Sequence, residues 1–155
     1  MKPVIMIIIS LFLCSVFGLA QTTWYVPDDF PGGIQSALSD ASVMDGDTII
    51  VRPGTYVENI NFFGKEISLK SEFGPDVTFI DGNKSGSVVI FSLGEEENSV
   101  LDGFTLASGE SEDGGGIYVR GGTVVVRESV LVSNTAESRG GGLYQHTGAV
   151  VLDGN

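Results

Sequence analysis

Two glycine runs decide the fold: Gly114-Gly115-Gly116-Ile117-Tyr118 returns as Gly140-Gly141-Gly142-Leu143-Tyr144, at a numbering offset of 26. The same offset relates the apolar run at 123–126 to the run at 149–152. A repeat of this length that contains short β-rich runs and no helix is typical of a stacked β-solenoid. In such a fold each strand pairs with the matching strand of the next coil, about 4.8 Å away.

Outward from these runs, the chain after Thr48 consists of short β-branched segments separated by glycine, proline and Asp-Gly turns. The segments at 104–106 and 130–132 also match at the offset of 26. We predict an all-β fold with about four to five coils over residues 48–155, truncated at the C-terminal end. The predicted inward positions include Ile117, Leu143, Val124, Val150, Val126 and Leu152.

Residues 21–47 form a different region. Ile34, Ala37, Leu38 and Ala41 recur at helical spacing, and Asp45-Gly46-Asp47 has turn chemistry. We predict one short helix over residues 34–41. Its apolar face is expected to cover the open end of the first coil, as a cap for the exposed strand edge.

Residues 1–20 have the build of a secretory signal peptide. Lys2 precedes an apolar run over 4–17, and Gly18-Leu19-Ala20 places small residues before a cut at Gln21. The alternative is an uncleaved N-terminal membrane anchor, although the run is near the lower length limit for a span. Cys14 is the chain's only cysteine, so we expect no disulfide bond and no cysteine nucleophile in the exported part.

The charge balance limits the classes of partner. The 155 residues carry 20 acidic and 8 basic side chains, a net charge of −12. Binding to nucleic acid or to an anionic membrane surface requires lysine and arginine, so we expect neither partner once the signal peptide is removed.

The N-terminal motifs carry a family resemblance. The stretches 24–30, 34–38, 45–49 and 53–60 resemble the N-terminal region of secreted right-handed parallel β-helix proteins of the pectin-lyase-like superfamily. The two Gly-Gly-Gly-Ile/Leu-Tyr runs look like the repeats of polymorphic outer-membrane-type proteins. The resemblance implies a right-handed parallel β-helix with a short N-terminal capping helix, at the cell surface or secreted.

The enzymes of that superfamily have motifs that this chain lacks. Gly54-Thr55-Tyr56-x-Glu58-Asn59 is similar to a pectin methylesterase motif, but the family's later Gln-Asp-Thr-Leu and Asp-Phe-x-Phe-Gly motifs are missing. The polygalacturonase Gly-His-Gly and Arg-Ile-Lys motifs are missing too. The nearest set to a pectate lyase site is Asp102, Arg127 and Asp153, at spacings near one coil. Catalytic residues are therefore unknown, and a surface ladder of opposite charges also explains this set.

A tyrosine pair gives the candidate ligand-binding site. Tyr118 and Tyr144 lie one coil apart, and strand alternation turns both outward if Ile117 and Leu143 point inward. Arg120 and His146 are expected to stack beside them. Exposed tyrosines form a flat amphipathic face on which sugar rings pack. The alternative is a cross-coil aromatic stack that only holds the register.

Two acidic clusters are candidate calcium ligands, and no other cofactor is indicated. Glu95-Glu96-Glu97 and the set Glu110, Glu112 and Asp113 supply oxygen ligands but lack a calcium-binding motif. We interpret both clusters as solvated loops and predict no metal site. Asp81-Gly82-Asn83 and Asp153-Gly154-Asn155 are interpreted as structural turns.

These observations favour a secreted or cell-surface, non-catalytic β-helix module that binds a polysaccharide or a surface protein. One alternative is the N-terminal fragment of a carbohydrate-active enzyme, such as a polysaccharide lyase, a hydrolase or a pectinesterase-like protein, acting on acidic polysaccharide. Another is a passive structural stalk. The last coil has apolar positions with no following cap, so we expect further coils or another chain to cover that end.

Overall fold

The protein is an all-β parallel solenoid of about five turns, seen in a computed structural model that describes residues 20–95 and 99–155. This confirms the predicted fold class. The helix α1 spans Ile34–Ser39. The strands are β1 Thr23–Val26, β2 Thr48–Val51, β3 Gly54–Val57, β4 Ile60–Asn61, β5 Ser68–Ser71, β6 Thr78–Asp81, β7 Val89–Phe91, β8 Ser99–Asp102, β9 Thr105–Ala107, β10 Glu110–Asp113, β11 Ile117–Arg127, β12 Val130–Val132, β13 Thr135–Arg139 and β14 Leu143–Asp153.

The strands line three faces, and neighbouring strands on each face are parallel. The first face holds β1, β2, β5, β8 and the second halves of β11 and β14. The second face holds β3, β6, β9 and β12. The third face holds β4, β7 and the first halves of β11 and β14, because each of these long strands turns a corner. A small sheet of β10 and β13 lies between the second and third faces.

The core consists of apolar columns that run along the axis. On the first face Ile49, Leu69, Leu101 and Val126 follow one another in register and are fully buried. The rings of Phe62 and Phe91 stack near the third face, with their centroids 4.4 Å apart. Each coil therefore buries its inner side chains only against the coils above and below.

The glycine runs are close contacts between coils. The Gly116 N–H donates to the Gly141 carbonyl (2.9 Å), and the Ile117 N–H donates to the Gly142 carbonyl (2.8 Å). A Cβ on Gly116 would collide with the Gly142 carbonyl oxygen. The repeated glycines thus permit one corner to stack directly on the next.

The N-terminal end is closed by α1, as predicted, with Ile34, Ala37 and Leu38 buried. The helix ends at Ser39 rather than at residue 41, because Asp40 is extended and its carboxylate accepts the Ser42 N–H at 2.8 Å. Gly33 precedes the helix at φ 97° and offers no capping side chain.

Two side chains tie this cap to the first coil. The Glu58 carboxylate accepts the N–H groups of Ile34 and Gln35, each at 2.9 Å. The Gln35 side chain accepts the Asn61 N–H at 2.6 Å and donates to the Asn61 carbonyl at 3.3 Å, much as a neighbouring strand would. The edge of β4 that faces the N-terminal end of the solenoid thereby has hydrogen-bond partners.

One predicted register is wrong. Val130 pairs with Thr105 and Leu131 pairs with Leu106, at an offset of 25 rather than 26. Leu106 is fully buried and Leu131 packs against the core, whereas Val130 and Val132 are 47% and 44% exposed. A shift of one residue reverses which side chains face inward, and burial of the two leucines selects the observed register. An irregularity between β10 and β13 restores the offset of 26 before the glycine corner.

Part of the domain prediction lies beyond the described residues. Nineteen of the twenty residues assigned to the signal peptide fall in 1–19, outside the described ranges. The boundaries 1–20, 21–47 and 48–155 stay predictions. Within residues 20–95 and 99–155, no helix is long and apolar enough to cross a membrane.

Candidate functional site

Tyr118 and Tyr144 form the centre of the candidate site. They are register partners on the third face, and their ring centroids lie 6.0 Å apart at an interplanar angle of 34°. Ile117 before Tyr118 is fully buried, so strand alternation turns both tyrosines outward as predicted. Ile90 and Asn61 continue this outward row toward the N-terminal end.

Arg139 completes this cluster, and the prediction missed it. Its guanidinium lies 4.6 Å from the Tyr144 ring centroid, in a cation–π contact. Its Nε and one Nη donate to the two Asp113 carboxylate oxygens at 2.9 and 2.7 Å. These hydrogen bonds raise the pKa of Arg139 above its ordinary value. A sequence signal exists: Asp113 and Arg139 directly precede the two glycine runs, at the same offset as the runs themselves.

His146 joins the cluster and Arg120 does not. The Tyr144 hydroxyl lies 3.4 Å from His146 Nδ1. The expected stacking of Arg120 on His146 is wrong, because Arg120 pairs with Thr147 and Val119 pairs with Gln145. His146 is therefore the extra residue of a β-bulge, which turns its side chain toward Tyr144.

We call Tyr118, Tyr144, His146, Arg139 and Asp113 the tyrosine cluster. It presents two aromatic rings, an imidazole and a guanidinium with its other terminal nitrogen unbonded within the described residues. Such a surface combines an apolar platform with hydrogen-bond donors, as polar ring-shaped ligands require.

The charged set considered as a lyase site does meet in register. Arg127 pairs with Asp102 on one side and with Asp153 on the other. Lys70 precedes Asp102 in the same column, so positive and negative side chains alternate along the outer first face. This alternation is typical of a surface ladder of compensating charges.

A cleft of about 420 Å³ lies beside this column. Val100 is its one apolar side chain, and its lining residues are Gln21, Gly46, Thr48, Glu66, Ser68, Val100 and Arg127. The cleft therefore lies between Gln21, near the N-terminal end of the stack, and Arg127 of β11.

The interpretation of both acidic clusters as solvated loops is only partly right in the described residues, where Glu110 and Glu112 are exposed but lie in a strand. Glu95 is fully buried, and its carboxylate accepts the N–H groups of Gly64, Ser92 and Leu93 at 3.0–3.2 Å. Glu110 to Asp113 form β10, paired with β13. Glu96 and Glu97 lie outside the described residues. Among the described residues, no group of three or more His, Cys, Asp or Glu side chains could hold a metal ion.

The remaining motifs serve the backbone. Glu58 caps α1, and the Asn59 amide donates to the Ser87 carbonyl at 2.8 Å. Asn155 accepts the Ser129 N–H at 2.9 Å and donates to the Val126 carbonyl at 2.8 Å. The Asp81 carboxylate accepts the Asn83 N–H at 2.8 Å. Asp81-Gly82-Asn83 is therefore a turn, as predicted. Asp153, in contrast, is the last residue of β14, and Asn155 bonds the backbone of the neighbouring coil.

The fold and the cluster define a parallel β-solenoid with an outward aromatic site. Comparison with known proteins adds a relative. A stretch of 105 residues, 68% of this chain, is 30% identical to a protein of Methanothermus fervidus named cell surface glycoprotein. The match covers 15% of that protein's length. No protein-family model matches the chain, and no solved structure matches it.

Proposed function

We propose that the chain is an exported, cell-surface β-solenoid module that binds glycans through the tyrosine cluster. The similarity to a cell surface glycoprotein supports the surface location, as does the signal-like pattern of residues 1–20. The observation that carries the binding role is the outward Tyr118–Tyr144 pair, with ring centroids 6.0 Å apart.

The cluster suits a sugar chain that lies along the solenoid axis. Tyr118 and Tyr144 are one coil apart, so successive sugar rings would contact successive tyrosines. Arg139 is held over Tyr144 by Asp113, and its free terminal nitrogen can donate to a sugar hydroxyl. Pre-positioning of this donor lowers the entropy lost on binding.

The charges favour a neutral glycan. The whole chain carries a net charge of −12, and Asp113 already neutralises Arg139. A polyuronate would be repelled by this surface. The preferred ligand is therefore an uncharged polysaccharide.

The binding role is tested with Tyr144→Ala and Tyr118→Ala. Tyr25→Ala is the matched control, since Tyr25 also lies beneath an arginine, at 5.0 Å from Arg52, but belongs to the first face. We expect a glycan array to detect a neutral ligand and titration to give about a tenfold weaker affinity for each cluster variant. Absence of binding to every glycan, or an equal loss in Tyr25→Ala, would contradict the proposal.

We also propose that the coils are right-handed and that the chain is related to the pectin-lyase-like superfamily. Right-handed connections between parallel strands of one sheet are the general rule. The enzyme alternative depends on Asp102, Arg127 and Asp153, which meet in register. If the chain is an enzyme, it should release unsaturated or reducing products from acidic polysaccharide, and Arg127→Ala should abolish this release. Absence of any release would exclude the enzyme alternative.

The last coil suggests a second kind of partner. Leu152 is 58% exposed although it continues a buried column. We propose that a further coil or another chain covers it in the assembled protein. Leu152→Cys should then react with maleimide in the isolated chain and resist it at the cell surface, while Val57→Cys, on the outer second face, reacts in both.

A further inference from the structure

A modification motif lies outside the tyrosine cluster. Among the five asparagines that are followed by at least two residues, Asn83 alone begins an Asn-x-Ser/Thr sequence, as Asn83-Lys84-Ser85. This tripeptide is the acceptor for N-linked glycans in exported proteins when its middle residue is not proline. The motif is short and common by chance, so its structural setting decides whether a glycan can be attached.

The motif lies on an exposed tight turn between β6 and β7. The Ser85 N–H donates to the Gly82 carbonyl at 2.9 Å, which closes a four-residue turn. Asn83 and Lys84 have φ values of 47° and 54°, a left-handed conformation that asparagine tolerates better than most residues. All three residues of the motif are exposed, at the corner between the second and third faces.

The Asn83 side chain differs from those of the other described asparagines. Asn59, Asn61, Asn134 and Asn155 each use the side-chain amide in a hydrogen bond to the backbone. Only the backbone N–H of Asn83 is bonded, to Asp81, and within the described residues its amide has no hydrogen-bond partner. The Ser85 hydroxyl is also unbonded there. Both groups that a glycan transferase must engage are thus free, and attachment would break no hydrogen bond of the fold.

We propose that Asn83 is an N-glycosylation site, a proposal that rests on the proposed export of the chain. The donor is a lipid-linked oligosaccharide phosphate or pyrophosphate, and a membrane-bound transferase catalyses the step. The Asn83 Nδ2 forms a bond to the anomeric carbon, and the bond from that carbon to the phosphate oxygen breaks. The lipid phosphate leaves with that electron pair, and one Nδ2 proton passes to a base of the transferase.

The test is peptide mass spectrometry of the chain purified from the envelope of its own cells. Trypsin should release residues 71–84, whose mass will be raised by a series of monosaccharide units, and fragmentation should place them on Asn83. Ser85→Ala retains Asn83 but should abolish the increment completely. Ser85→Thr should preserve it. Asn155→Gln, which changes another exposed asparagine, should leave it unchanged.

The N-terminal peptide separates the two proposals. A chain that begins at Gln21 and carries unmodified Asn83 would overturn glycosylation while leaving export intact. A chain that retains residues 1–20 with Asn83 unmodified would overturn both. An increment that survives in Ser85→Ala would show that the tripeptide does not direct the modification, and would also overturn the proposal.

Discussion

The two ends of the solenoid use similar apolar side chains with opposite results. At the N-terminal end, Ile34, Ala37 and Leu38 of α1 are buried over the first coil. At the C-terminal end, Leu152 is 58% exposed, although its register partner Val126 is fully buried. The difference lies in the neighbours: Val126 has a strand on both sides, whereas Leu152 has one within the described residues.

In this fold the apolar side chains stabilise the chain only where one coil packs against another. A closed end requires two things. The N-terminal cap supplies apolar surface and, in addition, satisfies backbone groups through Glu58 and Gln35. The C-terminal end has apolar positions without such a cap among the described residues.

The largest difference in stability is expected between two leucines of one apolar column, Leu101 and Leu152. Leu101→Ala should lower the free energy of unfolding by about 2–5 kcal/mol, because it leaves a cavity between two coils. Leu152→Ala, in the same column, should cost less than about 0.5 kcal/mol because its side chain is already exposed. Urea unfolding of both variants measures the difference. Equal losses would show that burial in this column does not depend on stacking.

A second effect concerns Asp47, whose carboxylate accepts hydrogen bonds from Trp24 in β1 and from Thr22 just before it. The carboxylate is buried, which alone would raise its pKa, but hydrogen bonds from the Trp24 Nε1–H and the Thr22 and Met44 N–H groups outweigh burial and lower the pKa below 3.8. The stability it contributes is therefore complete above pH 3.8 and is lost as the pH falls through the lower folded-state pKa.

The corresponding measurement is urea unfolding of Asp47→Asn between pH 7 and pH 2. We expect the variant to be less stable by about 1–3 kcal/mol at pH 6. The gap to the unsubstituted chain should narrow below about pH 4 as Asp47 becomes protonated. Exposed Asp76→Asn should produce no such gap. A gap that stays constant down to pH 2 would contradict the role of the charge.

A smaller effect is expected from the helix cap. Glu58→Gln retains an acceptor oxygen but removes the charge that faces two N–H groups of α1. We expect a loss of about 1 kcal/mol in unfolding free energy. Glu137→Gln, at an exposed position near the other end, should stay within about 0.5 kcal/mol of the unsubstituted chain. Losses of the same size at both positions would mean that the cap bonds add nothing.

The smallest effect is a local one, on the backbone of Asn61, and it tests the role of Gln35. Gln35→Ala removes the side chain that pairs with the backbone of Asn61. Amide hydrogen exchange should accelerate at Asn61, because the free energy of local opening falls by about 0.5 kcal/mol when this pairing is lost. The Ile117 amide, in the middle of the stack, is the internal control and should keep its rate. Unchanged exchange at Asn61 would show that its protection comes from elsewhere.

The sequence predicts the stacking and the N-terminal cap, because period and helical spacing are local patterns. It cannot select the register of the second face, where residues 104–106 and 105–107 are comparably apolar. Only the burial of Leu106 over Leu131 separates offsets of 26 and 25. The role of Glu95 is equally hidden, because one of its three donors, the Gly64 N–H, lies 31 residues earlier and meets Glu95 only when the coils stack.

The candidate site is half visible in the sequence. The Tyr118–Tyr144 pair follows from the repeat, and the Asp113–Arg139 pair has the same offset and carries opposite charges. The bulge at His146 does not follow from it. Strand β14 has an additional residue before Thr147, and β11 has one after Arg120, so the total offset of 26 conceals the local shift.

Parallel stacking in the observed register can be measured by disulfide formation between coils. In a Cys14→Ser background, Val132→Cys with Ala107→Cys joins register partners on the outer second face, where parallel neighbours lie about 4.8 Å apart. This spacing falls within the range of about 4.4–6.8 Å that a disulfide needs. We predict that this pair oxidises readily and that Val132→Cys with Leu106→Cys does not, as read by intact mass. Crosslinking of the second pair in place of the first would show that β9 and β12 do not pair in the observed register.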